Sequence, residues 1–218
     1  MTNRLEMYQE ELSYIIDIIE NYFPKNLEYS SDEYQNSKQF LLYKQLREKN
    51  KRNKEYIKAI EYKLREIFKD YAFTNYVDWN DFKCIEFKVN MHKNVPLLDD
   101  DIELIKFLGG KQRELYIFIS ILAKYYYFSF GETYYDESKV LPEDFLSGWE
   151  FCDDLNPNSK EEEDLLLKLD FLMKSMGYKI MSNELANFHL DDIETEFNEF
   201  GKVNIFDCIF TDFTIFFI

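Results

Sequence analysis

The chain has 218 residues, 46% of them hydrophobic and 18% aromatic, enough to bury a sizeable core, which excludes a disordered chain. Its 26 Lys and Arg face 42 Asp and Glu, a formal charge of −16, and such a carboxylate surface excludes nucleic-acid binding through general electrostatics. Cys84, Cys152 and Cys208 are odd in number and form no CxxC pair, so they indicate neither a disulfide framework nor a zinc knuckle and fit reduced thiols in the cytoplasm.

Asn3 with Glu6 is a capping-box pattern, and Leu5, Tyr8, Leu12, Ile15, Ile16, Ile19 and Tyr22 recur at helical spacing until Pro24, which predicts a first amphipathic helix. Charge alternates with apolar residues through this stretch, unlike a secretory signal, so no export is expected. Tyr56, Ile57, Ile60, Leu64, Ile67, Phe68 and Tyr71 mark a second helix that begins before Phe40 and bends or breaks near "REKNKRNKE". Between Lys38 and Lys69 eleven Lys or Arg stand against four Glu, a net of +7, whereas from Asp101 to Ile218 ten stand against twenty-four Asp or Glu. Attraction between these halves accounts for the basic stretch; nucleic-acid contact is the alternative.

In "IEFKVNM", Ile85, Phe87, Val89 and Met91 alternate with polar residues, the period of a half-buried strand. Asp99 to Leu108 reads as a short helix closed by Gly109 and Gly110, its three leading aspartates explained by capping and the helix dipole, and Lys111 to about Phe130 reads as a central buried helix. Interrupted by Lys124, Leu115 to Phe130 falls short of the roughly 20 residues of a membrane helix. Tyr125, Tyr126 and Tyr127 continue this helix, so ring directions turning by about 100° per residue drive one tyrosine out of the core. Beyond Gly131, Glu132 to Glu137 is expected as a loop. Ser159 with Glu162 is a second capping box, leading a helix with a stripe from Leu165 to Met176 that ends at Gly177. "YKIM" reads as a strand, and "DIETEFNEFGKVNIFDCIF" as a hairpin turning near Phe200 to Lys202; Leu190, Ile193, Phe197 and Phe200 also satisfy helical spacing, and the β-rich composition after Gly201 favours the hairpin. The whole predicts one α+β domain over 1–218, divisible at 75/76, with a helical N-terminal half on a small, mainly antiparallel sheet.

Two segments combine aromatic rings with acids. "KYYYFSFGETYYDES" carries Glu132, Tyr134, Tyr135, Asp136 and Glu137, and "LPEDFLSGWEFCDD" sets Trp149 among five carboxylates. Rings give contact area at low rotamer cost and acids steer a basic partner, so these are candidate recognition residues. In "HLDDIETE", a histidine beside four carboxylates suggests a metal or acid–base site, but its spacing matches no zinc or EF-hand pattern. Read as a strand, it projects Asp192, Glu194 and Glu196 from one face as an acidic comb that a cationic partner would relieve. A metal-dependent hydrolase or transferase would place its carboxylates at Asp99 to Asp101 or at His189 to Glu196. His92 and His189 lie in no nucleophile signature.

The ending "DIETEFNEFGKVNIFDCIFTD" in an acidic, aromatic-rich chain of this size resembles the immunity proteins that neutralise toxins of bacterial competition systems. The resemblance implies a cognate basic toxin as partner, a nuclease among the possibilities, inhibition by covering its active cleft or blocking its assembly, and no cofactor, metal, nucleic acid or membrane. On that reading Glu132, Asp136, Glu137, Asp192, Glu194 and Glu196 steer and pair, while Tyr134, Tyr135 and Trp149 anchor.

Overall fold

The computed structural model describes residues 2–96, 102–141, 147–154 and 156–211. Helices α1 (Thr2–Glu20), α2 (Asp32–Gln35), α3 (Lys38–Arg52) and α4 (Lys54–Ile67) come first. Strands β1 (Tyr71–Asn75) and β2 (Cys84–Lys93) follow, then α5 (Ile102–Phe107), β3 (Lys111–Ser120), β4 (Tyr125–Tyr135) and β5 (Trp149–Asp154). The chain continues through α6 (Lys160–Ser175), β6 (Lys179–Ile180), α7 (Asn183–Ala186), β7 (His189–Leu190), β8 (Val203–Asn204) and α8 (Ile205–Ile209). The fold is α+β, with the helical N-terminal half packed on a mainly antiparallel sheet. The break expected near "REKNKRNKE" falls at Asn53, whose backbone leaves the helical region and whose N–H bonds Asn50 O. Ser159 caps α6 by accepting from Glu162 N, and Gly177 follows its end with φ +81°.

The sheet order is β1-β2-β3-β4-β5, antiparallel throughout, with β6 added parallel to β4. β5 and β6 divide one edge of β4: Phe130 to Tyr135 pair with β5, while Tyr125 and Tyr126 pair with β6. Both faces of the sheet are covered. Leu115, Ile117, Ile119, Phe87, Val89, Tyr126 and Phe130 pack under the α4 and α6 residues Ile57, Ile60, Leu64, Leu165, Leu169 and Met173. The alternate residues Tyr116, Phe118, Tyr125 and Tyr127 pack on the other side against Ile15 and Ile19 of α1, Phe40 and Tyr43 of α3, and Phe206 and Ile209 of α8.

This two-sided burial corrects the reading of Lys111 to Phe130 as a central helix. The segment is the β3–β4 hairpin, and its continuous apolar run arises because both faces of each strand meet helices. None of the three consecutive tyrosines leaves the core: Tyr125 and Tyr127 point to the α1 side and Tyr126 to the α6 side, with exposures of 6, 3 and 1% respectively. The Tyr125 hydroxyl donates to Glu11, that of Tyr126 to Asp170 and that of Tyr127 to Asn183. Phe118 meets Phe206 edge-on at 5.3 Å and lies 6.5 Å from Tyr127; truncating such a ring costs about 3–5 kcal/mol.

The C-terminal hairpin is present only as a two-residue ladder, His189 to Asn204 and Leu190 to Val203. Residues 191–202 between the arms form turns and irregular backbone, so the strand expected over Asp192 to Glu196 does not form. After β8 the chain enters α8, not a longer strand, because Asn204 and Asp207 make a reciprocal capping box.

Candidate partner-binding site

β4 runs on to Tyr135, so Glu132 to Tyr135 belong to a strand and not to the expected loop. Asp136 then caps a single 3-10 turn, Glu137–Lys139, by accepting from Ser138 N at 3.0 Å and Ser138 Oγ at 2.6 Å, which holds its carboxyl below the usual carboxylate range. The returning chain meets this turn at Gly148, whose carbonyl accepts from Asp136 N at 2.8 Å. Gly148 has φ +86°, and a Cβ there would lie 2.7 Å from Val140 Cγ2 and 2.9 Å from Asp136 O, so only glycine permits this approach.

The close approach sets the β4–β5 register, with Tyr135 opposite Trp149 and Thr133 opposite Phe151. Alternation then puts three rings on one face. Tyr135 and Trp149 have centroids 4.9 Å apart, and Trp149 and Phe151 stack at 6.3 Å with planes 7° apart. Tyr135 and Trp149 are half-buried and Phe151 is 40% exposed. α5 flanks the row: Lys106 Nζ lies 5.8 Å from the Tyr135 ring and 3.2 Å from Glu137, and the neighbouring Phe107 is 81% exposed. Lys139 bonds Glu150 at 2.5 Å. Glu103, Asp136 and Glu137 thus outnumber Lys106 and Lys139, three carboxylates to two ammonium groups, leaving this rim at −1, while Glu150 lies opposite Tyr134 on the other face.

Glu132 and Tyr134 face the other way. Arg113 Nη1 donates to Glu132 Oε1 at 2.7 Å, its Nε and Nη2 hold the two Glu162 oxygens at 3.1 and 3.2 Å, and Nη2 also reaches Asn156 O at 2.7 Å. Lys111, Tyr134 and Asn158 Nδ2 also bond Glu132. Burial raises the pKa of that carboxyl, but the bonds from Lys111, Tyr134 and Arg113 override it and hold the value down at about 2. This cluster joins β3, β4 and α6 and leaves Glu132 only 8% exposed.

Asp192, Glu194 and Glu196 do not join the ring row either. Asp192 pairs with Lys25 at 3.0 Å, Glu194 accepts from Tyr29 N at 2.5 Å, and Glu196 pairs with Lys83 at 3.2 Å. Lys83 adjoins the start of β2, which pairs with the Ser120 end of β3, whereas Trp149 sits at the Tyr135 end of β4. Ten residues of strand separate those ends, about 30 Å at the rise of a β-strand. The three acids anchor the loop after β7 onto the α1–α3 side. Among the described residues no group of three His, Cys, Asp or Glu side chains is arranged to hold a metal ion. Asp99 to Asp101, Glu143 and Asp144 lie outside the described residues.

Of the nine sequence-predicted residues, Tyr135, Asp136, Glu137 and Trp149 therefore come together. Phe151, Lys106, Lys139 and Gly148 complete the site and escape a reading by segment. The two-residue step from Trp149 to Phe151 was the available signal, since on a strand it places both rings on one face. Comparison with protein-family models, with curated proteins and with solved structures found no match.

Proposed function

We propose that this chain is a protein-binding module of the immunity type, which binds a cognate bacterial toxin and inhibits it by covering a basic surface. The observation that carries this reading is the ring row of half-buried Tyr135 and Trp149 and exposed Phe151, inside a rim of net negative charge. Aromatic anchors held rigid on paired strands supply contact area without a large ordering cost, and the rim favours Lys or Arg from the partner. The −16 charge of the whole chain steers a cationic partner toward it and repels acidic competitors. Asp192, Glu194 and Glu196 have internal partners and act in holding the fold, so the contact is assigned to the β4–β5 end alone. No helix among the described residues is long and apolar enough to cross a membrane.

The test is direct binding between the purified chain and the toxin domain encoded beside its gene, by calorimetry at low and high salt. A hot-spot pair is worth at least about 2 kcal/mol, so Trp149→Ala with Phe151→Ala weakens binding by 30-fold or more. High salt weakens it further by slowing association. Binding that ignores both the double substitution and salt refutes the assignment.

A further inference from the structure

α5 is held on the sheet by its backbone and by one apolar side chain. Ile105 is buried, Gly110 N donates to Ile105 O at 2.8 Å, and Gly110 O accepts from Tyr135 N at 3.1 Å, which ties the end of α5 to the end of β4. The Lys106 side chain takes no part in that anchoring. Its Nζ lies 3.2 Å from Glu137, 3.9 Å from Glu103 and 5.8 Å from the centre of the Tyr135 ring. Both carboxylates stand in solvent, with side chains 74% and 87% exposed, and among the described residues Lys106 is the one cation paired with either.

The same residue types meet on the opposite face of β4, where Lys111 lies 5.2 Å from the centre of the Tyr134 ring and 2.7 Å from Glu132. There the carboxylate is buried and bonded also by Arg113, Tyr134 and Asn158, so the lysine is one strut of a closed network. Lys106 belongs to no such network. An exposed ion pair of this kind adds little to the stability of the fold, because water competes for both ends and two long side chains must be ordered. A ring face beside two carboxylates is nonetheless an arrangement that binds a cation, and here the bound cation belongs to the chain itself.

We infer that Tyr135, Glu137 and Glu103 form a cation subsite of the ring row, which an arginine of the basic partner enters by displacing Lys106. The inference rests on the protein-binding reading of that surface and adds what the surface recognises. An arginine fits because its planar group lies flat on the Tyr135 ring while its fork of donors pairs with Glu137, and it is less strongly hydrated than the ammonium it replaces. Lys106 is then an internal competitor. It keeps the subsite filled against diffuse positive charge and yields to a partner that presents arginine in register with the rings.

The probe is octa-arginine, titrated at low salt into a Trp79→Phe chain so that fluorescence reports Trp149, whose ring centre lies 4.9 Å from that of Tyr135. Lys106→Ala is expected to tighten binding about two- to fivefold, the range set by releasing one surface ion pair and one cation–π contact. Lys49→Ala, an equal change in net charge placed on α3, gives no such gain, and Tyr135→Leu cancels the gain from Lys106→Ala because the ring is then missing for either cation. Should Lys106→Ala disturb α5 in the circular dichroism spectrum, Lys106→Met keeps the apolar stem and gives the same result. Binding that either Lys106 variant leaves unchanged or weakens, an equal gain from Lys49→Ala, or a gain for octa-lysine as large as for octa-arginine overturns the inference. The toxin-binding reading is decided separately by Trp149→Ala with Phe151→Ala against the toxin domain: a chain that gains for octa-arginine yet ignores the toxin keeps the subsite and loses that reading.

Discussion

Replacing Arg113 by leucine removes a cation that joins β3 to α6. The loss is unequal for its two carboxylate partners. Glu132 keeps Lys111 at 2.7 Å, the Tyr134 hydroxyl and Asn158 Nδ2 at 3.2 Å, whereas among the described residues the Glu162 carboxylate keeps only Asn158 N at 2.6 Å. Glu162 is a side chain 10% exposed, so the single substitution buries an unpaired charge, at a cost of about 3–5 kcal/mol. The guanidinium also lies 4.2 Å from the Phe130 centroid, and losing that contact adds about 0.5–1 kcal/mol. Removing both charges with Arg113→Leu and Glu162→Leu deletes the pair without stranding either member. The double variant therefore returns to within about 1 kcal/mol of wild type. Urea unfolding followed by the fluorescence of Trp79 and Trp149 measures all four corners of the cycle, provided the slopes agree. A single substitution costing under about 1 kcal/mol, or a double variant no better than the single one, refutes the argument that desolvation of Glu162 sets the energy.

Glu86 gives the opposite effect. Its half-buried carboxyl has no hydrogen-bond partner among the described residues, and burial, opposed by the Lys88 charge, pushes it up to about 8. Between the ordinary glutamate value and 8 the folded chain keeps a proton the unfolded chain has released, so stability falls as pH rises, and Glu86→Gln gains about 1–3 kcal/mol at pH 7 after allowance for partial exposure. Glu132 titrates with the reverse sign: its folded value of about 2 makes its contribution complete above the ordinary glutamate range and lost as pH falls toward 2. The stability gap between wild type and Glu132→Gln, followed by urea midpoints from pH 7 to 3, narrows on acidification. Gly148→Ala forces a Cβ against Val140 and Asp136 O and costs about 1–3 kcal/mol; adding Val140→Ala recovers only part, because the backbone oxygen remains. Thermal melts of the three proteins check that order.

Local signals were legible in the sequence wherever chemistry within a few residues decides the outcome. The α1 stripe, the break at Asn53, the Ser159 cap and the paired glycines after α5 were all expected, and all are observed. The Asn204–Asp207 box is of the same local kind, and it outweighs the β-rich composition after Gly201. The β3–β4 hairpin was not legible, because an apolar run without a period fits both a buried helix and a strand covered on two faces, and the covering helices lie outside the run, α4 ending at Ile67 and α6 beginning at Lys160.

The same division separates the candidate site into what composition fixed and what packing decided. Residue types alone established an acidic surface, since 42 carboxylates cannot all be buried or paired by 26 cations. They did not decide which carboxylates stay free. Lys25 and Lys83 reach Asp192 and Glu196 across more than a hundred residues, Arg113 draws Glu132 inward, and the β4–β5 register brings Trp149 onto Tyr135. Each depends on tertiary packing between separate elements, where the energy lies in contacts that no local period encodes.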